Sequence, residues 1–122
     1  MLDPDAWDKF QTKCYEISSA HGFHEDDATG DDIKLERWQF TSSLCRVHSE
    51  VSEAQDWVQR GKSFTEIWLV DGKKPEGVPI ELADAIIRIA DMAATYGIDL
   101  ADAINLKMEY NMTRPFKHGK VM

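Results

Sequence analysis

Apolar residues recur every three or four positions over most of this chain, which is the spacing of one face of an α-helix. The first such stripe predicts a helix that begins at Pro4, behind the N-cap residue Asp3, and stops near Gly22. Its members are Trp7, Phe10, Cys14 and Ile17. A polar stretch, His24 to Asp32, follows and predicts a loop.

The second stripe predicts a longer helix from about Lys34 to Arg60, ended by Gly61. We expect its apolar face to point towards the core. That face consists of Leu44, Val47, Val51, Ala54 and Val58. Residues Phe64 to Leu69 are interpreted as a short helical turn.

Residues Asp71 to Pro79 contain two glycines and two prolines and predict a loop. A third helix follows from Ile80 to Tyr96, opened by Pro79 and closed by Gly97. Asp99 caps a fourth, from Leu100 to about Thr113, which Arg114 and Pro115 stop. No strand alternation of convincing length is present. We therefore expect a single all-α domain over residues 1–122, a bundle of four main helices.

Two pairs of carboxylates stand out within these helices. Glu50 and Glu53 lie three residues apart on the second helix, and Glu81 and Asp84 do so on the third. This spacing places each pair side by side on one helix face. The first pair borders the apolar stripe of its helix. The second lies in the one narrow polar stripe of a helix that is apolar around most of its circumference, so we expect that helix to be packed on most sides.

Four such acids meeting between two helices would repel one another. At about 5 Å and an effective dielectric of about 20, each pair costs about 3 kcal/mol. Hard cations such as Mg²⁺ remove that cost. The alternative is that both pairs belong to solvated helix faces, where this spacing is common. Arg88 and Asp91 are interpreted as a structural ion pair, Arg88 pairing with Asp84 or Asp91, with Asp91 as a reserve ligand.

The last helix supplies positive charge. Lys107, Asn111 and Arg114 fall on one face, which continues an apolar stripe. Lysine, arginine and asparagine are natural partners of phosphate oxygens. A solvated C-terminal turn with favourable helix-dipole charges is the other interpretation.

Tryptophan offers a flat surface on which a nucleobase can stack. Trp38 opens the second helix, and Trp57 lies on the same flank as Glu50 and Glu53, so both are candidate base contacts. Core packing is the alternative for each, and it is the interpretation preferred for Trp68. His24 and His48 are expected to find ordinary hydrogen-bond partners.

Charge and composition narrow the class of protein. The chain of 122 residues has 22 acidic and 14 basic side chains and a formal net charge of −8, which argues against binding to nucleic acid or anionic membranes. Cys14 and Cys45 form no zinc motif and are expected to be reduced. The N-terminus has no signal-peptide character, and acidic and basic residues interrupt the longest apolar segment, Ile80 to Ala94. A cytoplasmic location is the expectation.

Several of these segments, taken in order, resemble the MazG-like all-α nucleoside triphosphate pyrophosphohydrolases. The resemblance extends over about residues 40 to 120. It is carried by His48–Ala54, Gly77–Asp84, Tyr96–Leu100, Lys107–Pro115 and His118–Lys120. It implies an all-α fold and Mg²⁺-dependent hydrolysis of a nucleoside triphosphate to the monophosphate and pyrophosphate, for cleansing of the nucleotide pool, with Mn²⁺ as a possible substitute.

The resemblance also implies residue roles. Glu50, Glu53, Glu81 and Asp84 would be the metal ligands, and Glu50 or Glu53 would orient the attacking water or take its proton. The phosphate-binding residues would be Lys107, Asn111 and Arg114. Ser49 stands where some relatives have an additional acid.

The broad apolar circumference of the third helix needs more cover than a four-helix protomer offers, so we expect a second subunit to cover it. The resemblance implies a homodimer or a dimer-of-dimers tetramer. Two alternatives stay open: another pyrophosphatase of the same superfamily, of the phosphoribosyl-ATP or dUTP type, and a non-catalytic helical module that binds a protein partner. A ferritin-like di-iron protein is disfavoured because no histidine here follows a glutamate by three residues.

Overall fold

The computed structural model describes residues 1–24 and 37–115, and most of these residues are helical. The elements are α1 (Pro4–Ala20), α2 (Arg37–Gln59), β1 (Trp68–Val70), β2 (Lys74–Glu76), α3 (Val78–Thr95) and α4 (Leu100–Thr113). The four predicted helices are confirmed. Most of the predicted loop, the predicted start of the second helix at Lys34 and the His118–Lys120 motif lie outside the described residues.

The helix starts follow from their capping residues. The Asp3 side chain accepts a hydrogen bond from the backbone N–H of Asp5, and Pro4 occupies the first turn of α1. The Asp99 side chain accepts from the backbone N–H of Asp102 at the start of α4. Each cap satisfies a donor that the helix itself leaves unpaired. These local contacts are why both helix starts were predictable.

A small β-hairpin joins α2 to α3, and here the prediction was wrong. Part of the predicted helical turn is β1, and part of the predicted loop is β2, with Trp68 opposite Glu76 in an antiparallel register. Asp71 and Gly72 have φ values of 53° and 69°, and Lys73 donates its backbone N–H to the Val70 carbonyl oxygen. Positive φ at two successive residues is what a type I′ hairpin turn requires, and Asp-Gly is its typical sequence.

Gly77 connects the hairpin to α3 at φ 134°, a conformation that side chains rarely adopt. A Cβ atom at this position would collide with the carbonyl oxygen of Glu66. The glycine therefore lets α3 begin directly after the hairpin, which keeps β2 close to the first turn of that helix.

Helix α3 lies at the centre of the protomer and packs against both α2 and α1. α4 contacts α1, and the side chain of Asn105 exchanges two hydrogen bonds with the backbone of Leu2, at 2.9 and 3.0 Å. Cys14 and Cys45 are both free thiols. Within residues 1–24 and 37–115, no helix has the length and apolar character needed to cross a membrane.

The interior of the protomer is built from small side chains. Its buried apolar residues are Cys14, Ala54, Val78, Ala85, Ala90, Ala93 and Ala101, and among the described residues no large side chain is fully buried. The apolar stripe of α2 was expected to face the core. Ala54 does so and Val47 is half-buried, but Leu44, Val51 and Val58 are exposed. Glu50, on the flank of the stripe, is buried instead.

Helix α3 departs from expectation in the same way. Leu82, Ile86 and Ile87 are exposed, so this helix is not packed on most sides within one protomer. Its polar stripe, in contrast, points at its neighbours, because Arg88 contacts α2 and Asp91 contacts His24 beyond α1. The helices of this protomer meet in part through their polar edges.

Candidate functional site

Three carboxylates from two helices converge at the contact between α2 and α3. One oxygen from each of Glu50, Glu53 and Glu81 lies within 4.8 Å of the others. Glu50 and Glu81 are only 8% and 4% exposed, whereas Glu53 faces solvent. We call these three residues the glutamate triad.

Local sequence and helix packing together build the triad. The three-residue spacing puts Glu50 and Glu53 on one side of α2, and Glu81 in the first turn of α3 meets them from the opposite helix. Arg88, two turns further along α3, donates from Nε to Oε1 of Glu50 at 2.8 Å. This ion pair joins the two helices beside the triad and fixes one of its carboxylates.

Crowding raises the pKa of Glu81 from 4.5 to about 8. Burial is the largest cause, followed by a hydrogen bond to Glu53 and the negative charge of Glu53, and a hydrogen bond to Glu50 adds to these. A hydrogen bond with the Trp57 side chain acts in the opposite direction. Without a cation, a pKa near 8 favours the protonated form of Glu81 at neutral pH.

Asp84, the fourth predicted ligand, lines the same cleft but is not part of the triad. Burial is the main reason that its pKa is raised, and the nearby charge of Glu50 adds to the effect, while Arg88 opposes it. Asp84 thus contributes negative potential next to the triad from the adjoining turn of α3.

The triad lies in a cleft of about 470 Å³. This volume lies within the range of about 300 to 1,000 Å³ usual for small-molecule sites. Helix α2, the hairpin and the start of α3 form its walls. Besides the triad and Asp84, the lining residues are Asp56, Trp57, Arg60, Lys74, Pro75, Glu76 and Ile80.

Of the two tryptophans proposed as base contacts, the cleft contains Trp57. Its ring meets the edge of Trp68 at 4.8 Å between centroids, and the Arg60 guanidinium lies 5.7 Å from its centroid. Trp38 lies at the exposed start of α2 and does not line the cleft. Trp68 packs against Trp57, as its interpretation as a packing residue anticipated.

The cations expected to bind phosphate do not reach this cleft within the protomer. Lys107 and Arg114 lie over the ring of Tyr110 on α4, at 4.9 and 5.5 Å from its centroid. Asn111 is exposed on the same helix, and none of the three lines the cleft. One polypeptide therefore does not place these three side chains beside the triad.

The prediction that Arg88 pairs with a neighbour on its own helix was wrong. Arg88 pairs with Glu50, and Asp91 pairs with Nε2 of His24 at 2.8 Å. His24 also stacks on Tyr15, with 4.4 Å between ring centroids. Asp91 serves the contact between α3 and the end of α1 and is not part of the triad.

Sequence reasoning missed the hairpin residues that line the cleft, Lys74, Pro75 and Glu76. All three lie on the segment that was assigned to a loop. The Asp71-Gly72 pair is the sequence signal of a hairpin turn. A hairpin at this position folds the residues two and four positions after Gly72 back towards the helices.

The donor set of the triad suits a hard divalent cation. Carboxylate oxygens are the preferred ligands of Mg²⁺, which binds them at about 2.1 Å, so ligands on opposite sides of the ion are about 4.2 Å apart. Adjacent ligands of such an ion are about 3.0 Å apart, so the oxygens of the triad, all within 4.8 Å of one another, would draw closer on binding. Glu50, Glu53 and Glu81 are therefore the residues that would hold such an ion.

No protein-family model, no curated protein and no solved structure gives a significant match to this chain.

Proposed function

We propose that this protein is a Mg²⁺-dependent nucleoside triphosphate pyrophosphohydrolase, which releases the monophosphate and pyrophosphate. The observation that carries the proposal is the convergence of Glu50, Glu53 and Glu81 from two helices in one cleft. The similarity of the sequence motifs to MazG-like enzymes supports the choice of substrate class. Cleansing of the nucleotide pool is the role that this similarity suggests.

When bound, a divalent cation supplies charge neutralisation at the phosphate oxygens and lowers the pKa of a coordinated water. The protein provides the carboxylates that hold it. Glu50 is held in place by Arg88, and Glu81 is buried on α3. These two residues suit a fixed, binding role.

Glu53 suits a second role in addition to metal binding, because it is the exposed member of the triad. A solvent-accessible carboxylate beside the metal ligands can orient a water molecule and accept its proton. We assign that role to Glu53, and Glu50 is the second choice because its carboxylate already accepts from Arg88.

Trp57 is the proposed base contact. Its indole lines the cleft next to the triad, so a nucleotide whose phosphates lie at the carboxylates can place its base against this ring. A stacking surface accepts any base, so this contact does not select one.

Exposed apolar side chains on two helices support self-association. The apolar stripe of α2 and the exposed Leu82 and Ile86 of α3 supply surface for a partner. We propose a homodimer, alone or paired into a tetramer, in which α4 of one subunit brings Lys107, Asn111 and Arg114 towards the cleft of the other.

A panel of purified nucleoside triphosphates with pyrophosphate detection, run with Mg²⁺ and with chelator, tests the proposal. We expect metal-dependent release of one pyrophosphate per monophosphate. Replacing Glu53 by Gln should abolish turnover with unchanged far-UV circular dichroism. Glu16→Gln on α1 is the matched control and should retain full turnover.

The same panel separates the alternatives. Preferential cleavage of dUTP or of phosphoribosyl-ATP would assign the protein to another pyrophosphatase of the superfamily. No turnover of any of these compounds, together with no Mg²⁺ binding, would contradict the proposal and favour a non-catalytic partner-binding module.

A further inference from the structure

The hairpin brings one lysine to the cleft opposite the glutamate triad. Lys74 lies on β2, and its Nζ is 3.1 Å from Oε1 of Glu76. The two side chains share a face of the strand because they are two residues apart. The Lys74 side chain is 75% exposed, whereas that of Glu76 is 17% exposed. Glu76 thus anchors a mobile ammonium group at the rim of the cleft.

The charge of Lys74 is coupled to the site as well as to its neighbour. Its pKa is raised, first by the hydrogen bond to Glu76 and the charge of that residue, and then by the charges of Glu81 and Glu53. Lys74 and all three members of the triad line the same cleft, so an extended ligand that starts at the triad can reach the ammonium group.

Three other described cations that could serve a phosphate ligand have contacts of their own. Arg60 lines the cleft, but it pairs with Asp56 at 3.0 Å and lies over the Trp57 ring. Lys107 and Arg114 flank Tyr110 away from the cleft. Among the described residues that line the cleft, the cations are Arg60 and Lys74. Lys74 has the more exposed side chain, 75% against 64%, and it pairs with Glu76, whereas Arg60 contacts both Asp56 and Trp57.

We infer that Lys74 binds the phosphate chain of the substrate from the hairpin side of the cleft. The inference rests on the proposed function, because it takes the triad as the site that holds the metal-bound phosphates. On binding, Nζ turns from Glu76 to the phosphate oxygens, and Glu76 keeps the lysine stem in position. A flexible lysine suits this role because its three donors adapt to oxygens of varied position.

The test compares Lys74→Ala with Lys73→Ala. Lys73 is the preceding residue of the same hairpin, is exposed and does not line the cleft, so its loss changes the net charge equally. The probe is inorganic tripolyphosphate with Mg²⁺, titrated into the full chain by calorimetry. This measurement needs no hydrolysis. Lys74→Arg and far-UV circular dichroism control for charge and for folding.

We expect Lys74→Ala to raise the Kd for tripolyphosphate by about 10-fold to 100-fold, the usual effect of losing a hydrogen bond between charged groups. Lys73→Ala should change it less than about 2-fold, and Lys74→Arg should recover most of the loss. The affinity for Mg²⁺ alone should stay equal or increase in Lys74→Ala, because a positive charge near the triad is gone.

Two results would overturn the inference: equal tripolyphosphate affinity in Lys74→Ala and Lys73→Ala, or parallel loss of Mg²⁺ and tripolyphosphate binding in Lys74→Ala. Failure of the proposed hydrolysis has a different signature. In that case the wild-type chain would bind Mg²⁺ and tripolyphosphate with the expected dependence on Lys74 but would release no pyrophosphate from any nucleotide.

Discussion

Arg88 of α3 and Glu50 of α2 form an ion pair of 2.8 Å beside the glutamate triad. The Glu50 side chain is 11% exposed and that of Arg88 is 44% exposed, so the carboxylate depends on this partner more than the guanidinium does. The pair both joins the two helices and offsets one of the negative charges that meet between them. The positive charge of Arg88 lowers the cost of burying Glu50 beside two other glutamates.

Replacing Arg88 by Met should therefore destabilise the metal-free protein. Loss of one partner leaves a buried carboxylate without its cation, but the exposure of Arg88 moderates the effect, so we expect about 1 to 2 kcal/mol. Urea denaturation gives the free energy of unfolding. The control is Arg60→Met, whose pair with Asp56 is largely exposed and should change stability by less than about 0.5 kcal/mol. Equal effects of the two replacements would show that the pair of Arg88 with Glu50 contributes no more to the free energy of unfolding than an exposed ion pair does.

The ion pairs show where sequence reasoning reaches its limit. Asp3 and Asp99 are predictable as helix caps because a capping side chain bonds to backbone only two or three residues away. The same local reasoning predicts partners for Arg88 and Asp91 on their own helix. The observed partners lie on other segments, because helix packing brings Glu50 and His24 into contact with them. Spacing shows which residues share a face, whereas the neighbouring helix decides what that face meets.

The apolar stripe of α2 gives the same lesson. Its periodicity predicted the helix, but Leu44, Val51 and Val58 of the stripe are exposed, while the flank with Glu50 faces α3. Periodicity identifies an apolar helix face that favours burial, but it does not show which element buries that face. The hairpin was missed for another reason: three-residue strands are too short for alternation to be visible, and the Asp71-Gly72 turn was the remaining signal.

The raised pKa of Glu81 predicts how stability depends on pH. Glu81 titrates near 8 in the folded chain and near 4.5 in its ordinary state. Between these values the folded chain binds more protons than the unfolded chain, so its free energy of unfolding falls as pH rises. The loss begins near pH 4.5 and is complete above pH 8, and the raised pKa of Asp84 adds in the same direction. Metal-free denaturation curves from pH 5 to 9 measure it.

Glu81→Gln removes this titration and keeps the side-chain shape. The variant should be more stable than the wild type at pH 8 without metal, by about 1 kcal/mol or roughly 3 to 6 °C in Tm, and should show a flatter pH dependence. Glu109→Gln, at an exposed position on α4, is the control and should leave the slope unchanged. A wild-type stability that rises steadily from pH 5 to 8 would contradict the prediction.

Mg²⁺ should stabilise the folded chain and do so more strongly at higher pH. The ion must displace the proton that Glu81 holds below pH 8, so each binding event releases protons and the affinity rises as pH approaches 8. At a concentration 100 times its Kd, a ligand specific to the folded state adds about 2.7 kcal/mol. Melting curves with and without millimolar Mg²⁺ at pH 6 and pH 8 measure this.

Unchanged curves with both Mg²⁺ and Mn²⁺ would remove the basis for a metal site. A Glu81→Gln variant that responds like the wild type would do the same.

Self-association through the apolar stripe of α2 should depend on Val51. This side chain lies in the middle of the stripe and is 51% exposed in the protomer. If the stripe packs against a second copy, an aspartate there buries an unpaired charge in the interface and separates the subunits. Sedimentation should then give twice 13.9 kDa for the wild type and a single protomer for Val51→Asp.

Ile67→Asp is the matched control and should stay dimeric. Ile67 is 55% exposed but lies before β1, away from the stripe of α2. A wild-type chain that sediments as a monomer at micromolar concentration would exclude the dimer. It would also leave Lys107, Asn111 and Arg114 with no route to the cleft.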